Sequence, residues 1–268
     1  MPAVAQEILT CFGDEFIDAD KVASVVEGDP GICAKLLGLS NSAYFGLAEP
    51  VNTIGDAISR VLGVDTVRSL VLAMAISQSF NSKDCPAFDA ARFWLQSLMT
   101  AECCKKIAAA DKQADDVIRD LAYSAGLCHN IGLMVLAHLE PGRTNAILAA
   151  HRKHAEPGGL SKAFMAEFAT DHRGMTSELA KIWSLPVPMA AAYRYRSFAD
   201  SHDDERLGLI VAAGITAVEN VDVDEDQRTN LDELAQALGL DADRLQKMAM
   251  IGERQIERVE SLASNMTA

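Results

Sequence analysis

Leu121–Glu140, LAYSAGLCHNIGLMVLAHLE, carries Leu121, Ala125, Leu127, Cys128, Ile131, Leu133, Met134, Val135, Leu136 and Leu139. These leave almost no polar stripe, so the stretch predicts a helix buried on most sides, the central member of a bundle. Gly126 and Gly132 each cost a helix about 1 kcal/mol relative to Ala, which implies close approach of neighbouring backbones. Two adjacent polar side chains, His129 and Asn130, interrupt this apolar rod. A buried polar group without a partner is strongly destabilising, so function turns on what these two meet.

Around this stretch the chain reads as all-α. No segment alternates with period two for long, and there is no internal repeat or low-complexity run. Short helical patterns cover Val4–Phe12 and Lys21–Glu27. Asp29 as N-cap and Pro30 at the first helical position start the next helix, Gly31–Leu39. A turn follows at Asn41–Gly46. Ile54–Leu62 and Thr66–Phe80, joined at Gly63, make a helical hairpin. Its second helix has one basic residue, Arg68, and is otherwise apolar, so it reads as buried and not as a DNA-recognition helix. A long helix spans Ala90–Ala110. Pro141-Gly142 ends the central helix, and further helices cover Thr144–His154, Leu160–Phe168, Met175–Trp183, Met189–Phe198, Arg206–Glu219, Asn230–Leu238 and, started by Asp241, Ala242–Ser264.

Several blocks stand together in one order: Asp29-Pro30, Lys35-Leu36-Leu37, Asn41-Ser42-Ala43-Tyr44-Phe45-Gly46, Asp56-Ala57-Ile58 with Leu62-Gly63, and then Ala125-Gly126-Leu127-Cys128-His129-Asn130. Over about Ile8 to Ile215 the chain resembles the HDOD (HD-related output) domain, a branch of the HD superfamily of metal-dependent phosphohydrolases. The resemblance implies an all-α helical bundle, a single HDOD-like unit over 1–268. Within it, an N-terminal helical subdomain (1–85) packs on an HD-like bundle (86–220), and a C-terminal helical extension covers 221–268. It also implies a role in bacterial signal transduction, often beside receiver or cyclic di-GMP-related domains. None of those is found in this sequence, so an input would come from a separate protein or a small molecule.

In the HD pattern, His and Asp side chains from several helices hold one or two divalent ions that activate water for phosphoester hydrolysis. Residue by residue, the resemblance puts Gln96 (in Phe93-Trp94-Leu95-Gln96-Ser97) where a His is expected, and Asn130 in place of the Asp after His129. It keeps His172 in Thr170-Asp171-His172-Arg173-Gly174, and sets Arg196-Ser197 at a His-His and Gly214 at an Asp. Two imidazoles survive. A neutral amide is a weak metal ligand, a guanidinium repels a cation, and catalytic sites typically keep at least three protein ligands. The expectation is a non-catalytic regulatory output module, with no cofactor and no metal. His129, Asn130, Gln96, His172 and Arg196 would then form a hydrogen-bonded cluster, or line a pocket for an anion such as a nucleotide. The alternative is a metal-dependent phosphohydrolase or cyclic-dinucleotide phosphodiesterase with an atypical ligand set.

Other patterns weigh less. His151 and His154 lie one helical turn apart with no third ligand in view. Cys103, Cys104 and Cys128 read as buried thiols. Asp222, Asp224, Asp226 and Glu233 match the spacing of a calcium loop, but Gln227 stands where the turn needs Gly, and Asn230 with Glu233 reads equally as a helix start. A net charge of −14 disfavours nucleic acid and anionic membrane and favours a basic partner surface. The N-terminus has no signal-peptide pattern and no apolar run approaches the roughly 20 residues of a membrane span, so cytoplasmic residence is expected. The partner is expected to be a signalling protein or a nucleotide-like ligand.

Overall fold

Asp and Thr side chains cap several of the helices, and apolar spacing sets the faces that they bury. The computed structural model describes residues 3–10, 19–42, 45, 47–153, 158–194, 206–223 and 228–250, and these contain helices and no strand. In chain order the helices are α1 (Ala3–Thr10), α2 (Ala19–Glu27), α3 (Pro30–Ser40), α4 (Ile54–Ala57), α5 (Val64–Ser77), α6 (Ala90–Ala110), α7 (Asp116–Cys128), α8 (Ile131–Leu139), α9 (Pro141–Lys153), α10 (Gly159–Phe168), α11 (His172–Ile182), α12 (Val187–Ala192), α13 (Arg206–Glu219), α14 (Asp232–Leu238) and α15 (Ala242–Ala249). The chain divides into two compact units. One holds residues 1–79, 90–98 and 251–268, and the other holds 80–89 and 99–250.

In the first unit, Asp29 Oδ1 accepts from the amides of Gly31 and Ile32 at 2.9 and 3.0 Å, and Pro30 opens α3. That is the cap read from sequence. Helix α5 is the core of this unit: Val67 to Ile76 are all buried, with α1, α2 and α3 packed around it. Arg68, its one basic side chain, is buried and paired with Asp65. Asn41 closes the connection that follows α3. Its side-chain amide donates to the Val51 carbonyl and accepts from the Val51 amide, both at 2.7 Å. This gives the Asn of the family-like block a structural task. The helix expected over Ile54–Leu62 changes pitch along its length, since Ile58–Leu62 takes π geometry before Gly63 turns at φ 81°.

In the second unit, glycine sets how closely helices cross. A Cβ on Gly126 of α7 would lie 2.8 Å from Ala101 Cα and 2.9 Å from the Thr100 carbonyl oxygen on α6. One on Gly214 of α13 would lie 2.6 Å from Cys104 Sγ, also on α6. Only a missing side chain permits such approach. A second apolar cluster joins Leu133, Leu136 and Ala137 of α8 to Cys85, Leu148 and Phe164. The thiols of Cys85, Cys103, Cys104 and Cys128 are buried in this unit, and burial pushes those of Cys103 and Cys128 up to about 12. Such thiols stay protonated and are not nucleophiles at neutral pH.

Several expectations are corrected here. The rod Leu121–Glu140 is not one helix: α7 ends at Cys128 and α8 begins at Ile131. Pro141-Gly142 does end the central segment, but Pro141 also starts α9, because proline has no amide to satisfy in a first turn. Likewise Val187 and Pro188 open α12 at its N-terminus, and Ser177 ties that helix to α11 by donating to the Ala190 carbonyl at 2.8 Å. The helices expected to reach Phe198 and Ser264 stop earlier, at Ala192 and at Ala249, where Met250 turns to extended backbone; residues 195–198 and 251–264, and His154, lie outside the described residues. Asp241 caps α15 through the Arg244 amide at 2.9 Å. Of the calcium-like loop, Asp224 and Asp226 lie outside the described residues. Its flanks are tied by Asn220, which donates to the Thr229 carbonyl at 2.9 Å and accepts from the Thr229 amide at 2.8 Å. No helix among the described residues is long and apolar enough to cross a membrane.

Candidate functional site

The break between α7 and α8 is made by the site residues themselves. In a continuous helix the amide of Asn130 would donate to the Gly126 carbonyl. Here His129 Nδ1 takes that carbonyl at 2.7 Å. Asn130 leaves the helical region at φ −111°, ψ 9°, and the chain restarts at Ile131. Asn130 gives α8 no side-chain cap. The cap comes from α11 instead: Thr176 Oγ1 accepts from the Gly132 amide at 2.9 Å. The same hydroxyl lies 2.9 Å from the His172 carbonyl and 3.1 Å from that of His129, so its single proton goes to one of them. This contact exists because position 132 has no Cβ. One placed there would collide with the His172 carbonyl oxygen and the Thr176 amide.

Burial, chiefly, and the charge of Arg173 push the His129 imidazole down to about 4, while its bond to Gly126 opposes the shift. It is therefore neutral at pH 7, with the proton on Nδ1 and a lone pair on Nε2. The ring lines a small cavity of about 10 Å³, room for about one water molecule. Arg173 and Tyr193 share that cavity, with Val211, Ala212 and Ile215 of α13 forming its apolar side. Arg173 pairs with Glu219 at 3.2 Å through Nη2. Its Nε and the Tyr193 hydroxyl are buried and have no hydrogen-bond partner among the described residues.

A family model for the HDOD domain matches residues 1–197, most of the chain. The chain belongs to the HDOD family. As an HDOD protein it is similar to an uncharacterised protein of Treponema pallidum (strain Nichols), 23% identical over 195 residues. That match takes in 73% of this chain and 36% of the other, so the chain spans about a third of the length of this curated relative. Among solved structures, a Marinobacter aquaeolei VT8 protein named for signal transduction has a TM-score of 0.82 at 22% identity, covering 100% of this chain and 59% of that one. A Shewanella amazonensis SB2B protein named as a phosphohydrolase has a TM-score of 0.74 at 23% identity, covering 99% and 94%. At these identities the likeness is one of fold.

The five residues singled out from sequence in this HDOD chain are distributed as follows. His129 lines the cavity. Asn130 is buried beside it in sequence, and its Oδ1 has no partner among the described residues. His172 is buried at the start of α11, where Asp171 caps the helix through the Gly174 amide at 2.8 Å; its ring meets Phe164 edge-on at 5.7 Å. Gln96 is half-buried on the part of α6 that belongs to the first unit. Arg196 lies outside the described residues. Gly214 faces Cys104 on α6.

Sequence reasoning passed over Arg173, Thr176 and Tyr193. Arg173 stood inside the quoted Asp171–Gly174 block and was legible as a charge next to a kept histidine. Tyr193 and Thr176 gave no local signal, since only the packing of α11 and α12 on the His129 turn gives them a role. The donor set does not fit the divalent ion of the HD superfamily. Asn130 is a neutral amide, and a guanidinium lines the cavity that His129 lines. Among the described residues, no three His, Cys, Asp or Glu side chains converge as a metal cluster. A cation at that point would meet the Arg173 guanidinium, already paired with Glu219 at 3.2 Å, and no carboxylate among the described residues that line the cavity.

Proposed function

We propose that this HDOD protein is a regulatory output module of signal transduction that recognises a partner protein or a small ligand and does not hydrolyse phosphoesters. One observation carries the reading: the cavity that His129 lines is lined also by Arg173 and by no carboxylate among the described residues, so it offers a hydrolytic ion no negative ligand. The neutral Asn130 in place of an Asp supports it, because it removes the negative charge that would compensate the ion. The His129 turn is held instead by backbone and Thr176 bonds, which fit a structural and recognition role. Fold likeness to a protein named for signal transduction agrees with this; likeness to one named as a phosphohydrolase supplies the competing activity to test.

The test is a Mn²⁺ titration by calorimetry on the purified chain, with turnover assays on cyclic dinucleotides and a chromogenic phosphodiester. The expected result is no stoichiometric Mn²⁺ binding and no turnover above buffer. One Mn²⁺ or more per chain, with turnover abolished in His129→Ala, would overturn the reading.

A further inference from the structure

We draw no further inference here: the strongest candidate, the apolar surface corner where α11 meets α12, with Ile182 74% and Val187 80% exposed beside the half-buried Trp183, carries nothing because nothing in the structure shows what covers it, the charges of Glu178 and Lys181 next to it being paired with each other at 2.6 Å.

Discussion

His129 Nδ1 lies 2.7 Å from the carbonyl oxygen of Gly126, the acceptor that the Asn130 amide would otherwise claim. One bond therefore fixes three things: the end of α7, the tautomer of the imidazole and the direction of its second nitrogen. The pH dependence follows from the same burial. The ordinary imidazole value is 6.5 and the folded one about 4, so between those values the unfolded chain holds more proton than the folded one. Stability then rises with pH across that window, is fully present above 6.5 and is lost as pH falls through 4. The full shift corresponds to about 3 kcal/mol. Urea unfolding at a series of pH values from 4 to 7 checks this, with His129→Gln as the comparison. The variant should show a shallower rise; identical slopes would remove His129 as the cause.

Gly132 tests the close crossing of α8 and α11. Gly132→Ala drives a methyl into the His172 carbonyl and the Thr176 amide, backbone atoms that cannot rotate away. A loss of about 3 kcal/mol is expected, the upper part of the usual range for overpacking. Gly38→Ala is the control: it lies on the exposed side of α3 with nothing within 4 Å of the added carbon. That change should raise stability by about 0.5–1 kcal/mol through helix propensity alone. Thermal melts of the two variants should move in opposite directions, and a parallel shift would sink the argument.

These contrasts show which parts of the fold were legible. Asp29-Pro30, Asp241 and the Ala90–Ala110 periodicity were readable because a cap or an apolar stripe is decided within a few residues. The close approaches at Gly126 and Gly132 were readable as well, since glycine weakens a helix and is kept inside so apolar a one where a neighbouring backbone needs the space. The break at His129-Asn130 was not. Its flanks are uniformly apolar, and the competing bond is a side chain taking a backbone acceptor, which leaves no trace in a hydrophobic pattern. Pro141 was read as a terminator because a proline that ends one helix and a proline that begins the next look alike in sequence. At the site, His129 was found by its type. Tyr193 and Thr176 were missed because they arrive from later helices, and only tertiary packing places them.

Thr176 carries the cap that Asn130 does not supply. Its hydroxyl accepts from Gly132 and, being wholly enclosed, cannot be replaced by solvent. Thr176→Val keeps the shape and removes the oxygen, leaving the Gly132 amide unsatisfied. The expected cost is about 2 kcal/mol, with Thr176→Ser recovering most of it. Hydrogen exchange at the Gly132 amide gives a local readout. It should accelerate in the valine variant and stay slow in the serine one, whereas equal exchange in both would mean that another group caps α8.

Asp111 and Arg206 make the test in which the sign of asymmetry matters most. Arg206 grips the carboxylate in two-pronged fashion, Nε to Oδ2 at 2.6 Å and Nη2 to Oδ1 at 2.5 Å, and donates through Nη1 to the Ala237 carbonyl at 2.7 Å. The pair thereby joins the end of α6 to α13 and α14. The two partners are not equally enclosed: the Asp111 side chain is fully buried, while that of Arg206 is 18% exposed. Removing the arginine leaves an enclosed carboxylate with the Gln113 amide at 2.9 Å but no countercharge, so Arg206→Leu should cost about 3–5 kcal/mol. Removing the charge from the other side leaves a guanidinium that can turn toward solvent and an amide that can still accept, so Asp111→Asn should cost about 1–2 kcal/mol. Urea unfolding of both single variants and of the double variant measures each loss and the coupling between them. The double variant should be more stable than Arg206→Leu alone, because no buried charge is left over. If Asp111→Asn proves the more damaging single change, the burial asymmetry is not what sets the energetics of this pair.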